Sequence, residues 1–253
     1  MINYLIIDIE SYLYKSLSHC EKLIQDKTNS KIFYQGYDIS LAEKYIDDNI
    51  DRLCKILNTK QFELVVGDVK NFRKILFPQY KANRKPKPEI YQHVYNLIRD
   101  KYGFTSLPYL EGDDTCRIIF EDKNYKPECQ KIIVSVDKDF YSVPCNFFRD
   151  LNNNNLIENI GEISAEQHLY YQVLVGDTAD NYKGIPNFGD KKYQELIDDK
   201  GGCLSSQDVI NLFHNYGLTD EDFNYNLRCA TIVNQIEYNK ILKEMKEVDN
   251  DKR

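Results

Sequence analysis

The chain has 253 residues, 42% of them apolar, and a net charge of −7. That length suits one large domain or two small ones with a real core, and no stretch is long and apolar enough to span a bilayer as a helix. The seven cysteines lack a CxxC pair and the four histidines are scattered, which argues for reduced thiols in a cytoplasm and against a zinc centre.

The opening, MINYLIIDIE, has no basic n-region and meets acids at once, so it reads as a first strand and not as a signal peptide. Residues 3–7 form that strand and end at Asp8. Helices are expected over 12–27 and 40–58. A second apolar run, 62–66, ends at Gly67-Asp68. Next comes the loop Tyr80–Pro88, which carries Lys81, Arg84, Lys85 and Lys87, and a helix over 89–101. The tetrad Glu111-Gly112-Asp113-Asp114 opens a helix over 113–122. A third apolar run, 131–136, ends at Asp137, with Asp139 two residues on. Short, nearly continuous apolar runs mark strands buried on both faces of a parallel sheet, and helices between them give an α/β fold with a central, mostly parallel sheet.

The character changes near residue 160. A helix is expected over 164–175 from Ser164. Asp177 and Asp180 follow, three apart and so on one face of a helical turn. The glycine-flanked segment Gly184–Gly189 runs into Lys191 and Lys192 at the start of another helix. Further helices are expected over 205–216 and 224–245, with a charged, fraying tail.

Nine carboxylates therefore fall in five clusters, three of them at strand ends, where α/β sheets bind ligands. Singly, each has an ordinary alternative. Asp8 could cap a helix, Asp68 could be a loop acid, and the acids of the tetrad suit a helix N-terminus. Together they repel unless a cation is shared, and an all-oxygen donor set suits Mg²⁺ or Mn²⁺. They also account for the acidity, because the rest of the chain is net +2. Lys81, Arg84, Lys85 and Lys87 can clamp a phosphate, or simply form a solvated loop. Gly184, Gly189, Lys191 and Lys192 can meet a phosphate backbone, or merely connect two helices.

The order of these motifs resembles the flap endonuclease (5′-nuclease) family, which includes the 5′-nuclease domain of bacterial DNA polymerase I and the 5′-exonucleases of tailed phages. The matching pieces are IIDIESYLYKS, FRKILFPQYKANR, EGDD, VSVDKDFYSVP and LVGDTADNYKGIPNFGDKKYQELI, from residue 5 to about 199. The resemblance implies a PIN-like α/β nuclease core over 1–160 with a helical arch over 81–105. It implies a helical region over 161–253 whose residues 176–199 form a helix–three-turn–helix DNA-binding module. It implies two divalent ions: Asp8, Asp68, Glu111 and Asp113 around the first, and Asp137, Asp139, Asp177 and Asp180 around the second. Asp114 would act directly or through water. Lys81 and Arg84 match the catalytic basic pair, Tyr80 would stack on a base, and a K⁺ ion would sit at the Gly184–Lys192 turn. The implied reaction is hydrolysis near 5′ ends of DNA, at flaps, overhangs or nicks, and of RNA primers, by a freestanding monomer in a bacterial or phage-infected cytoplasm. The family's EADD is EGDD here, and glycine should loosen that helix start. Three other readings stay open: a haloacid-dehalogenase-like phosphatase, a non-catalytic structure-specific DNA binder, and a PIN-like ribonuclease.

Overall fold

The three apolar runs become neighbouring strands of one sheet. A computed structural model of the protein describes residues 2–25, 28, 33–151 and 156–251. Strand β1 (Ile2–Asp8) is central, with β4 (Phe62–Val65) on one side and β5 (Cys129–Ser135) on the other, both parallel to it. β6 (Asn146–Arg149) adds a fourth parallel strand, and β7 (Glu158–Asn159) closes the edge antiparallel. The sheet order is β4-β1-β5-β6-β7. The chain leaves β1 to one side and later returns on the other, so β1 is the switch point beside which such sheets open a crevice.

Period-two alternation splits the apolar residues between two cores. Leu5, Ile7, Leu64, Ile132 and Val134 face one side. There they meet Leu13 of α1 (Glu10–Cys20), Ile46 of α2 (Ile39–Ile56) and Val94 of α4 (Glu89–Tyr102). Tyr4, Ile6, Val65, Ile133 and Phe147 face the other side and meet Cys116 of α5 (Gly112–Glu121). Truncating a fully buried residue such as Leu5 to alanine should cost about 2–5 kcal/mol.

Several element boundaries differ from expectation. The first helix stops at Cys20, because residues 21–25 form β2 (Glu21–Gln25), paired antiparallel with β3 (Phe33–Tyr37). The tail of the expected helix, residues 26 and 27, lies outside the described residues. The helix expected from Ser164 begins earlier, as α6 (Glu162–Val175) behind Gly161. The single helix expected over 224–245 is two: α9 (Asp220–Ala230) and α10 (Gln235–Asp251). Thr231-Ile232-Val233 run extended between them, and the Asn234 side chain accepts the Ile236 and Glu237 N–H groups to start α10. The tail expected to fray is helical to Asp251.

The stretch 81–105 contains the loop 81–88 and then α4. Tyr91, Val94 and Ile98 of α4 are built into the first core, so of the expected arch only the loop 81–88 lies outside that core. Beyond residue 160, α6, α7 (Asp190–Asp199), α8 (Ser206–Asn215) and α9 enclose their own core around Val173, Phe213 and Phe223. Contacts cross the expected boundary at 160 both ways. Tyr80 joins that core, and Tyr238, Ile241 and Met245 of α10 pack on Phe72, Leu110 and Ile118.

Candidate active site

The crevice beyond β1 collects the acids that the strands deliver. Asp8 ends β1, and its Oδ2 accepts the Ser135 hydroxyl at 2.9 Å. The same Ser135 oxygen accepts the Asp137 N–H at 3.1 Å, so one serine ties two strand ends together. Asp68, three residues past β4, gives its N–H to the Leu110 carbonyl and accepts the Tyr109 N–H, each at 2.8 Å. That pairing fixes Asp68 beside the start of α5, where Glu111 is the N-cap and Asp113 and Asp114 lie in the first turn. Gly67 permits the approach: a Cβ there would stand 3.1 Å from the Gly112 nitrogen.

Asp114 departs from the expectation of a metal-facing acid. It is 0% exposed, and four donors use both of its oxygens. Arg73 holds it bidentately at 2.7 and 2.8 Å, the Val233 N–H reaches Oδ1 at 2.7 Å, and the Glu111 N–H reaches Oδ2 at 3.1 Å. Arg73, 1% exposed, lies in α3 (Phe72–Leu76). It also donates to Glu111 Oε2 at 3.2 Å and to the backbone carbonyls of Arg228 and Thr231. Asp114 is therefore the counter-ion of a buried arginine, and the extended break between α9 and α10 supplies the backbone groups that complete the pair.

The second set sits across the pocket. Asp137 caps a 3₁₀ turn, Lys138–Ser142, by accepting the Asp139 N–H at 3.0 Å. Asp177 accepts the Ala179 and Asp180 N–H groups, closing a turn and not a helical face as expected from their spacing. Lys81 lies between the two sets, its Nζ 2.5 Å from Glu111 Oε1 and 3.4 Å from Asp180 Oδ2. Arg84 pairs with Asp180 Oδ1 at 2.5 Å.

The charge balance differs from acid to acid. Burial pushes Asp8 up to about 7, with Glu10 and Asp137 adding to the rise. Burial raises Asp139 to about 7 as well, helped by Asp137, Asp177 and Asp180. Asp113 is raised by burial and by its neighbours Asp114 and Glu111. Burial would also raise Glu111, but Lys81 and Arg73 outweigh it and pull the group down to about 2.

Among the described residues, no three His, Cys, Asp or Glu side chains converge in a ready metal cage. Lys81 and Arg84 take up the space between Glu111 and Asp180 instead. The donors nonetheless suit a hard divalent ion. They are all carboxylate oxygens, several are destabilised as anions, and Asp139 Oδ1 is buried with no hydrogen-bond partner.

Two further site residues, Tyr80 and Gly184, come out differently from expectation. Tyr80 is 3% exposed and cannot stack on a base in this conformation. Its hydroxyl bonds Glu111 Oε2 at 2.8 Å and Asp180 Oδ2 at 3.1 Å. Lys87 is drawn to Glu10 at 3.3 Å and lies over the Tyr91 ring. Gly184 is buried and gives its N–H to Asn226, so it offers no donor to a phosphate. It is glycine because its φ is +59° and a Cβ would fall 2.5 Å from the Gly176 nitrogen. Lys85, Gly189, Lys191 and Lys192 are exposed, Gly189 as N-cap of α7. Arg73 and Ser135 escaped the sequence reading. Both were visible only as the second residues of the quoted motifs FRKILFPQYKANR and VSVDKDFYSVP.

Residues 3–166 match the profile of a family described as the 5′-3′ exonuclease, N-terminal resolvase-like domain. The exodeoxyribonuclease of Enterobacteria phage T3 is 29% identical over 194 residues, covering 74% of this chain and 63% of its own length. The chain thus spans less than two thirds of that relative. The flap endonuclease Xni of Shewanella oneidensis is 31% identical over 148 residues, 52% of this chain and 54% of its own. A solved structure of T5 5′-exonuclease with bound zinc superposes with a TM-score of 0.62 at 18% identity, over 97% of this chain and 98% of the other. At that identity the likeness speaks for the fold.

Proposed function

The chain belongs to the 5′-3′ exonuclease family, and from that premise we propose that it is a structure-specific, divalent-metal-dependent nuclease cutting phosphodiesters near 5′ ends of DNA. The observation that carries this reading is the two-sided acid pocket bridged by Lys81, with an unpartnered buried oxygen on Asp139. Asp8, Asp68, Glu111 and Asp113 would hold one Mg²⁺ or Mn²⁺ ion, and Asp137, Asp139, Asp177 and Asp180 a second. Bound there, such ions supply Lewis acidity that lowers the pKa of water and neutralises phosphate oxygens.

The chain's own residues do the rest. Lys81 and Arg84 exchange their carboxylate partners for the scissile phosphate and stabilise charge that builds on it. Arg73 keeps Glu111 ionised and in place. Exposed Lys85, Lys191 and Lys192, with the Gly189 turn at the start of α7, meet duplex backbone by charge and by N–H groups, which favours structure over sequence. Asp114 supports the fold of the site as the partner of Arg73, and Gly184 closes its turn without donating to a phosphate. The substrates are flaps, overhangs and nicks, with RNA primers on DNA in the same class, and the enzyme acts as a cytoplasmic monomer. A K⁺ ion at the Gly184–Lys192 turn belongs to the same reading. Replacing K⁺ by Na⁺ should then weaken duplex binding.

The test is direct. Purified protein with Mg²⁺ or Mn²⁺ should cut a 5′-flap duplex to products with 5′-phosphate ends, and EDTA should stop it. Intact flap and 5′-overhang substrates after incubation with folded, metal-supplied protein would reject the reading. Binding should weaken steeply with salt, since the contacts are to phosphates.

A further inference from the structure

Two loops about a hundred residues apart in sequence are fastened to each other at the rim of the acid pocket. The Lys81 N–H donates to the Asp180 carbonyl at 2.9 Å. The Asn83 side-chain amide donates to the Thr178 carbonyl at 2.8 Å, and that of Asn181 donates to the Gln79 carbonyl at 2.7 Å. The bonds run in both directions, so each loop's backbone is held by the other's asparagine. Lys81 and Asn181 both have left-handed backbones, with φ of 55° and 62°. Asparagine tolerates that region, but a lysine there is held by its surroundings.

The second loop has its own frame. Asp177 and Tyr182 exchange backbone bonds at 2.8 and 3.1 Å, and Gly176 and Gly184 pinch its base so tightly that a Cβ on either would meet backbone within 2.5 Å. The chain runs on from this loop into Gly184–Lys192 and α7. The basic pair of the first loop is thereby attached to a rigid loop that leads directly to the duplex-contact segment.

We propose that Asn83 and Asn181 are positioning residues. They make Lys81 and Arg84 one body with the Asp177–Tyr182 loop, so that the placement of the basic pair follows the segment that grips duplex. The inference rests on the nuclease reading above and adds two residues to which that reading assigns no role. Neither amide needs to touch the reacting phosphate, since each acts through the backbone that carries Lys81.

Two measurements test it. The first is single-turnover cleavage of a 5′-flap duplex by wild type, Asn83→Ala and Asn181→Gly, the glycine keeping the left-handed backbone. Each substitution should slow cleavage about tenfold, because small misplacements of a catalytic group are costly. Duplex affinity in EDTA should stay within about twofold, since phosphate contacts elsewhere dominate binding. In a background carrying both Lys81→Ala and Arg84→Ala the same substitutions should cost less than about twofold, the signature of residues acting through that pair. An equal tenfold loss in both backgrounds, or affinity falling in step with rate, overturns the proposal. The second measurement needs no substrate. Amide exchange in residues 79–84 should speed up about tenfold in Asn181→Gly while the β1 and β5 amides stay protected. Unchanged exchange there refutes the fastening whether or not the wild type cuts DNA, whereas failure of the wild type to cut counts against the nuclease reading instead.

Discussion

Glu111 and Asp139 are carboxylates in one pocket, yet their surroundings push them in opposite directions. Glu111 has Arg73 and Lys81 against it and ionises far below the usual range. Asp139 is surrounded by Asp137, Asp177 and Asp180, has one oxygen without any donor, and resists ionisation up to about 7. Glu111 is neutralised within the fold by protein cations. Asp139 itself has no ion-pair partner, although Arg84 pairs with Asp180 beside it. The contrast teaches that two carboxylates of one site need not share one electrostatic design: Glu111 is held as an anion by the fold, while Asp139 becomes favourable as an anion only when positive charge arrives.

The strongest way to break this contrast is on the Asp139 side. Asp137→Asn with Asp139→Asn should reduce flap cleavage by at least about 10³-fold, since metal-site catalysis supplies several kcal/mol of the barrier lowering. The folded protein should melt no lower than wild type, because two repelling acids are gone. Normal turnover in the double variant would remove both residues from the chemistry. On the Glu111 side the expected damage is to folding. Arg73→Ala strands the buried Asp114 carboxylate and should cost about 3–5 kcal/mol by denaturant unfolding. A change below 1 kcal/mol on that scale would deny the pair its structural role.

Lys81→Ala touches both halves. Single-turnover rate should fall about 10²-fold with a smaller loss in binding, as expected for a group that acts on the transition state. Equal losses would reduce Lys81 to a docking residue.

A gentler probe is pH. Asp8 and Asp139 keep protons to about 7 in the fold, against 3.8 for an ordinary aspartate. Between about 4 and 7 these two groups therefore bind more protons in the folded chain than in the unfolded one, and their contribution to stability should fall as pH rises across that window, while His168, lowered to about 4 by burial, pulls the other way. Glu111, depressed to about 2 from 4.5, contributes stability that is present above 4.5 and lost as pH falls toward 2. Thermal melts of chelator-treated protein check this by difference: the advantage of Asp139→Asn over wild type should grow as pH rises from about 4.5 to 7, and a difference that stays flat would contradict the assignment.

The smallest effect concerns the glycine of the acid tetrad. A Cβ on Gly112 would make ordinary contacts, 3.4 Å to the Gly67 nitrogen and 3.5 Å to Asp8 Oδ1. Gly112→Ala should stabilise by about 0.4–1 kcal/mol and leave cleavage intact. The same change at Gly176, where backbone stands 2.4 Å away, should instead be destabilising.

The strand ends were legible because burial on both faces writes itself as short apolar runs, and the acid that ends each run is adjacent in sequence to what places it. Asp8, Asp68 and Asp137 were found that way. What escaped depended on partners far along the chain. Nothing near Asp114 announces Arg73, and nothing near Tyr80 announces that Glu111 and Asp180 will claim its hydroxyl. Gly184 looked like an anion turn because glycine pairs often make one; its neighbour across the loop, Gly176, shows that steric closeness explains it. The β2–β3 ribbon was missed because pairing of 21–25 with 33–37 competes with a helical reading of 21–25, and only the fold decides.

The extended break between α9 and α10 has a practical consequence. The family profile ends at residue 166, yet the Thr231 carbonyl and the Val233 N–H, more than sixty residues later, complete the polar shell of Arg73 and Asp114. Tyr238, Ile241 and Met245 seal the same corner from water. A fragment cut at the edge of recognisable similarity would therefore leave an ion pair half-solvated and an apolar face open to other chains. The minimal portable unit for engineering or crystallisation extends through α10, well beyond the segment that sequence kinship marks out.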